Sequence, residues 1–285
     1  MRWRYKALAF RCLSAMPGNA SMHYWLQRYV TRTLPCTEKS YASISGHAAR
    51  FVELLTAYAG KPLDKCNVLE FGAGRDLTLA LALRARGVGS VIAVDLKRLA
   101  KLKLVRVALG HVDADADVKQ VESLTDLARI GVVYRAPFDM RATGLAAGSL
   151  DCVLSSEVME HIPAEDLRLI LRECFRVLSA GGLAIMKIDY SDHYARGDDA
   201  ISRFNFLKYS DDDWRPYNSA FQYVNRLRHA EYLKMFNDAG FEILLQDVNR
   251  VAPIEEVVAQ LADRFRHHPL DDLFVQNALI VARRP

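Results

Sequence analysis

Apolar residues in this chain gather in short runs, and between the runs they recur every three or four positions. Residues 66–71, 90–95, 132–134, 151–155 and 183–189 are too short for helices and rich in Val, Leu and Ile, the pattern of strands buried on both faces. Residues 76–86, 97–109 and 164–178 carry helical spacing, the last closed by Gly181 and Gly182. Ahead of them a helix is expected over 45–58, ended by Gly60 and Pro62. Beyond them follow a helix over 229–239, a strand over 241–248, a helix started by Pro253 and a last strand over 278–282. Strands alternating with helices require parallel pairing and right-handed crossovers, so loops at the strands' carboxyl ends share one ligand-binding edge. The expectation is an α/β fold: a Rossmann-like, doubly wound sheet of about seven strands, mostly parallel, with an antiparallel final strand.

Four stretches differ in character. Residues 1–62 read as a helical, basic arm, 63–189 as the core that carries the motifs, 190–228 as a polar and aromatic inserted lid, and 229–285 as the rest of the core sheet. In the arm, Pro17-Gly18 and Pro35 break the helical pattern, and Arg2, Arg4, Lys6, Arg11, Arg28, Arg32 and Lys39 face a single acid, Glu38, within the first forty residues. Trp3, Ala7 and Phe10 share one helical stripe, and Trp25 and Tyr29 form another, but Arg4 and Arg11 interrupt a single apolar face. The arm is therefore expected to pack on its own domain or on a second copy in a homodimer, with peripheral membrane contact as the alternative.

Composition narrows the class further. A chain of 285 residues, 51% of them hydrophobic, can bury a large core. The longest apolar stretches, such as 77–83, fall far short of the roughly 20 residues that cross a bilayer. With no secretory pattern at the N-terminus, a cytoplasmic address is expected. The five cysteines are scattered and never at zinc or redox spacing, so they read as reduced thiols.

The chemistry concentrates after the first strand. In Glu70-Phe71-Gly72-Ala73-Gly74-Arg75-Asp76 a strand ends on an acid and turns through two glycines into a helix. The glycines allow backbone angles and close ligand approach that a side chain would block. A dinucleotide site would want a third glycine at position 77 and no acid beside its pyrophosphate, whereas this chain has Leu77, Glu70 and Asp76. S-adenosylmethionine brings an ammonium and a sulfonium, which carboxylates stabilise. Asp95 ends the next strand about 20 residues on, within reach of ribose hydroxyls, and Leu96 is placed to cover an adenine.

These residues resemble the motifs of the class I S-adenosylmethionine-dependent methyltransferase superfamily over roughly residues 67–189. The resemblance implies that Glu70, Gly72 and Gly74 form the methionine-side loop and that Asp95 binds ribose. It further implies that Asp139 accepts from the adenine amino group, that Met140 packs on the ring, and that the 155–162 segment, with Glu157, faces cofactor and substrate. Asp76 stands where a third glycine is common in that superfamily. Residues 189–228, with Phe204-Asn205-Phe206 and Asn225-Arg226-Leu227-Arg228, also resemble a little-characterised bacterial subgroup of methyltransferases, which names no substrate.

Methyl transfer to a hydroxyl or protonated amine needs an aligned acceptor and a proton sink. His193, Glu157 and His161 are the candidate bases, each near the carboxyl edge of the sheet. No metal ligand set is assigned. Asp189, Asp192 and His193 are the alternative for a divalent cation, while Asp113, Asp115, Asp117 and the run Asp211 to Asp213 read as solvated loops or helix caps. Trp214, Tyr217, Phe221, Tyr223, Asn225, Arg226 and Arg228 give the lid either a surface that grips a sugar or small anion, or a packing layer.

The chain lacks the Asn/Asp-Pro-Pro-aromatic signature of base amino-methylation, and its lid lacks a dense basic groove, so nucleic acid is not the expected partner. A small-molecule or sugar acceptor is expected, methylated at oxygen. A catalytically silent cofactor-binding scaffold and an NAD-linked oxidoreductase are the competing classes.

Overall fold

A computed structural model describes residues 2–16, 19–30, 32–112 and 121–285. Pro17, Gly18, Asp113, Asp115 and Asp117 lie outside the described residues. Three helices come first: α1 (Arg2–Ser14), α2 (Asn19–Trp25) and α3 (Glu38–Tyr58). The core follows as β1 (Asn67–Phe71), α4 (Thr78–Ala85), β2 (Ser90–Val94), α5 (Leu102–His111), β3 (Val132–Arg135), β4 (Leu150–Ser156), α6 (Ala164–Val177) and β5 (Leu178–Asp189). The chain ends with the single turn α7 (Asp211–Trp214), α8 (His229–Asp238), β6 (Glu242–Arg250), the turns α9 (Glu255–Val258) and α10 (Leu270–Leu273), and β7 (Val275–Arg283).

These strands build one seven-stranded sheet in the order β3-β2-β1-β4-β5-β7-β6. The first five are parallel, and β7 runs antiparallel to both β5 and β6. The order reverses between β1 and β4, so the crevice at their carboxyl ends is where such a sheet accepts a ligand. Period-2 alternation sends Val68 into the core under α3, α4 and α5, and Leu69 and Phe71 into the core under α6 and α8. Glu70 therefore shares its face with Val68, beneath α3 and α4.

Two element boundaries differ from expectation for identifiable reasons. The helix expected over 45–58 begins seven residues earlier, at Glu38. Thr37 and Ser40 form a reciprocal capping box there, the Thr37 side chain accepting from the Ser40 amide at 3.2 Å. The fifth strand begins at Leu178 rather than at 183, because Leu178 already pairs with Leu150 and the register then shifts before Cys152 meets Leu183. Gly181 and Gly182 thus lie inside a bulged strand and do not close α6.

A third apolar cluster sits over the carboxyl edge of the sheet. It joins Trp3 and Ala7 of the arm, Tyr194, Phe204, Phe206, Trp214 and Val224, and Val257, Leu261, Phe265, Leu273 and Phe274. The segment read as an inserted lid is therefore one part of a cap that also uses the arm and residues 251–274. Trp3 is 4% exposed and its amide donates to Asp198 at 2.8 Å, so the stripe considered for a membrane is spent inside the molecule. Tyr5, Leu8, Trp25 and Tyr29 of the arm remain exposed. Among the described residues no helix is long and apolar enough to cross a membrane.

The cap is pinned to the sheet by buried cations. Arg228, fully buried, donates to the carbonyls of Tyr190, Leu273 and Val275 at 2.8–3.0 Å. Arg226 donates to the Phe206 and Tyr209 carbonyls and pairs with Asp211. Asn225 donates to the Met159 and Ile162 carbonyls at 2.9 and 2.8 Å. These side chains, with the 2% exposed Trp214, pack the cap, and Trp214, Tyr223, Asn225 and Arg226 also line a cavity of about 370 Å³. Replacing Arg228 by Ala strands three buried carbonyls and opens a cavity. Urea unfolding is expected to show Arg228→Ala destabilised by at least about 3 kcal/mol.

Candidate functional site

At the tip of β1 the register places Glu70 opposite Ala93 and Phe71 opposite Val94, so Glu70 and Asp95 end neighbouring strands. Gly72 and Gly74 both turn at positive φ, +76° and +74°. A Cβ on Gly72 would lie 2.4 and 2.7 Å from the Val158 methyls. The glycine is thus required by its angle and by the β4 loop that presses against it. Asp95 locks this turn from the side: its carboxylate accepts from the Gly74 amide at 3.1 Å. Burial raises the Asp95 pKa against that hydrogen bond.

Glu70 is 4% exposed, and its Oε2 has no hydrogen-bond partner. Burial, reinforced by the charges of Asp76 and Asp95, pushes its pKa up to about 8. An orphaned buried carboxylate beside two further acids fits a cationic ligand. Asp76 lines the same crevice, but one of its oxygens accepts from the Thr78 amide at 3.2 Å and hydroxyl at 2.8 Å, capping α4. Leu77, at the position of a dinucleotide loop's third glycine, takes φ +57° and is fully buried.

Two cavities meet at Gly72. The larger, about 610 Å³, is lined by Glu70, Ala73 and Asp76 and by Ser156 and Glu157 after β4, with Thr37, Ser40, Ser43 and His47 of the α3 start opposite. The smaller, about 230 Å³, is lined by Asp95, Leu96, Asp139, Met140, Val158, His161 and Ile162. Leu96 is 59% exposed over this cavity and Met140 is 6% exposed within it. The Asp139 carboxylate is already engaged by Arg141, whose guanidinium reaches it at 2.7–3.1 Å and holds its pKa below the usual range. An adenine amino group would share that carboxylate with Arg141.

The three candidate bases separate. Glu157, at φ +56°, forms an ion pair with Lys187 that holds it below the ordinary carboxylate range despite burial. It is a poor proton acceptor. His161 and His193 face each other with ring centroids 5.0 Å apart, and Glu160 lies with them. The alternative cation set of Asp189, Asp192 and His193 does not assemble. Asp192 turns into the cap, accepting from the Tyr194 amide and from Asn205, while Asp189 stays with His193 at 3.4 Å. Sequence reasoning missed His47 and the hydroxyls of α3. The capping pair Thr37 and Ser40 was the signal that could have extended the helix to the cavity.

The sequence profile of a methyltransferase-domain family matches residues 42–246, from α3 through most of β6. The chain is a class I S-adenosylmethionine-dependent methyltransferase. No curated protein matches it by sequence. Among solved structures, the methyltransferase is similar to a putative methyltransferase of Bacillus halodurans, with 19% identity over 82% of this chain and 98% of the other, and a TM-score of 0.48. It is also similar to a SAM-dependent methyltransferase of Methanosarcina mazei, with 15% identity, 81% and 96% coverage and a TM-score of 0.49. A third similarity is to the geranyl diphosphate C-methyltransferase of Streptomyces coelicolor, with 18% identity, 83% and 77% coverage and a TM-score of 0.48.

Two consequences for donor binding can be measured. Gly72→Ala adds a Cβ into Val158 and forces Ala to positive φ, so calorimetry is expected to show S-adenosylmethionine affinity lowered by at least about tenfold. Glu70 retains its proton in the folded apo state well above the ordinary glutamate value of 4.5, so the unfolded chain releases that proton first. Apo stability therefore falls as pH rises from 4.5 towards about 8. A bound ammonium favours the ionised carboxylate, so near about pH 6.5 binding is expected to release about one proton. Calorimetry in buffers of different ionisation enthalpy reads this release, which Glu70→Gln should abolish.

Proposed function

We propose that this methyltransferase methylates an oxygen of a small polar acceptor, a sugar or another hydroxyl-bearing molecule. The observation that carries this reading is the composition of the larger cavity, where the hydroxyls of Thr37, Ser40, Ser43 and Ser156 and the imidazole of His47 stand across from Glu70 and Asp76. Its volume of about 610 Å³ is in the range of small-molecule sites. Side chains of this kind exchange hydrogen bonds with a hydroxylated ligand, and the acids among them repel a phosphate backbone. The same acids support a small molecule over a nucleic acid as acceptor.

When bound, S-adenosylmethionine supplies an electrophilic methyl carbon on a sulfonium. The protein's work is to align a hydroxyl with it and to take the hydroxyl proton. His47 is suited to the second task. Burial, and then the charge of Lys187, lowers its pKa, so it stands neutral at physiological pH. Its Nδ1 lies 3.3 Å from the Ser156 hydroxyl at the cavity wall. We assign the proton to His47 in preference to Glu157, which Lys187 holds ionised, and to His161 and His193, which turn toward each other outside this cavity.

The test is turnover on a panel of sugars, phenols, amines and carbon acids with labelled S-adenosylmethionine. Label is expected on oxygen. His47→Gln is expected to lower kcat by about a hundredfold or more while leaving donor affinity unchanged. Label on nitrogen or carbon alone would overturn the oxygen assignment, and a wild-type kcat in His47→Gln would overturn the base. Donor binding without turnover on any acceptor would favour the catalytically silent scaffold.

A further inference from the structure

We propose that Glu160, His161 and His193 form a binding site for one divalent first-row transition metal, joining the turn after β4 to the first turn of the cap. Their ligand atoms all lie within 4.8 Å of one another. Metal–nitrogen and metal–oxygen bonds of roughly 2.0–2.2 Å hold ligands about 3–4 Å apart, so closure by about an ångström completes the site.

Glu160 is the decisive residue. It is 4% exposed, and neither carboxylate oxygen has a hydrogen-bond partner. A buried carboxylate with no donor is costly unless it meets a cation. The neighbouring charges of Asp189 and Glu157 add to the demand for one.

The histidines are arranged as ligands. His161 Nδ1 lies 2.7 Å from the Tyr223 carbonyl, which can only accept, so Nδ1 carries the proton and Nε2 keeps its lone pair. Asp189 stands 3.4 Å from His193 Nε2, the carboxylate-to-imidazole contact that fixes the orientation of metal-binding histidines. The turn carrying Glu160 and His161 is clamped by Asn225, whose amide donates to the Glu160 carbonyl at 2.8 Å.

The site already attracts positive charge. Arg196 pairs with Asp189 beside the site, and its side chain is 53% exposed, so it can swing to solvent when an ion enters. His161 is exposed and gives the ion an entry. Two imidazoles and one carboxylate suit Co²⁺, Zn²⁺, Fe²⁺ or Mn²⁺ better than Mg²⁺ or Ca²⁺, which prefer oxygen throughout.

Chelator-treated full-length protein titrated with Co²⁺, followed by visible absorption and calorimetry, tests the proposal. About one equivalent is expected to bind, with weak d–d bands, no thiolate charge-transfer band and a rise in thermal midpoint, while Mg²⁺ binds at least about tenfold more weakly. Glu160→Gln is expected to lower Co²⁺ affinity by about a hundredfold or more. His161→Ala, which alters an exposed ring and leaves the core packed, should do the same and keep the circular dichroism of the wild type. Absence of stoichiometric Co²⁺ binding would overturn the proposal. So would a thiolate band, or wild-type affinity in folded His161→Ala.

Discussion

The donor end of the sheet is organised around a buried carboxylate, one of whose oxygens has no protein donor. Glu70 reaches that position because β1 is an interior strand, paired on both sides by β2 and β4, and because period-2 alternation turns the residue before Phe71 under α3 and α4. Desolvation and the acids at positions 76 and 95 keep it protonated in the apo protein. A cationic ligand reverses the balance by supplying the missing partner. Gly72 and Val158 then set how closely the backbone may approach, and Asp95 holds the turn by accepting from Gly74. Each feature is local, but all of them depend on β1 delivering one acid to one depth.

The cap answers a different constraint. Irregular chain over the carboxyl edge must satisfy its backbone groups without a sheet or long helix. Here three side chains do much of that: Arg228 serves carbonyls of Tyr190, Leu273 and Val275, Arg226 those of Phe206 and Tyr209, and Asn225 those of Met159 and Ile162. The buried guanidiniums also lie against aromatic faces, Arg228 over Tyr190 and Phe206, Arg226 over Trp214 and Phe265. Basic and aromatic residues in a polar segment looked equally suited to holding a ligand. The buried guanidiniums and Asn225 serve the backbone, while Trp214, Tyr223, Asn225 and Arg226 also line a cavity beside it.

The boundary between what the sequence disclosed and what it hid follows the distance over which each feature is encoded. The sheet, the glycine turn and Asp95 were legible because strand periodicity and a seven-residue motif carry them within contiguous chain. The antiparallel β7 was legible because it is a lone apolar run at the end of the chain. The larger cavity's far wall was not, since α3 contributes Ser40, Ser43 and His47 from some thirty residues before the motif, and its start is marked only by the small capping pair Thr37 and Ser40. Glu160 and His161 adjoin in sequence, whereas His193 meets them only because the chain leaves β5 and turns back across the β4 loop. No periodicity records such a meeting. The arm's packing partners were hidden for the same reason: Trp3 finds them in Tyr194, Trp214 and Tyr217, about two hundred residues away.

The entry to α4 explains why this loop suits a methyl donor and not a dinucleotide. A pyrophosphate needs free amides at a helix N-terminus and glycine where the backbone turns left-handed. Here the Thr78 amide is already taken by Asp76, which also places negative charge at the mouth of the helix. The left-handed position is Leu77, whose fully buried side chain offsets the strain of φ +57° by packing under α3 and α4. The helix start has thus exchanged an anion site for a hydrophobic anchor and an acid. With Glu70 one strand residue away from the turn, the same backbone that would cradle phosphate instead presents carboxylates to a ligand bearing ammonium and sulfonium.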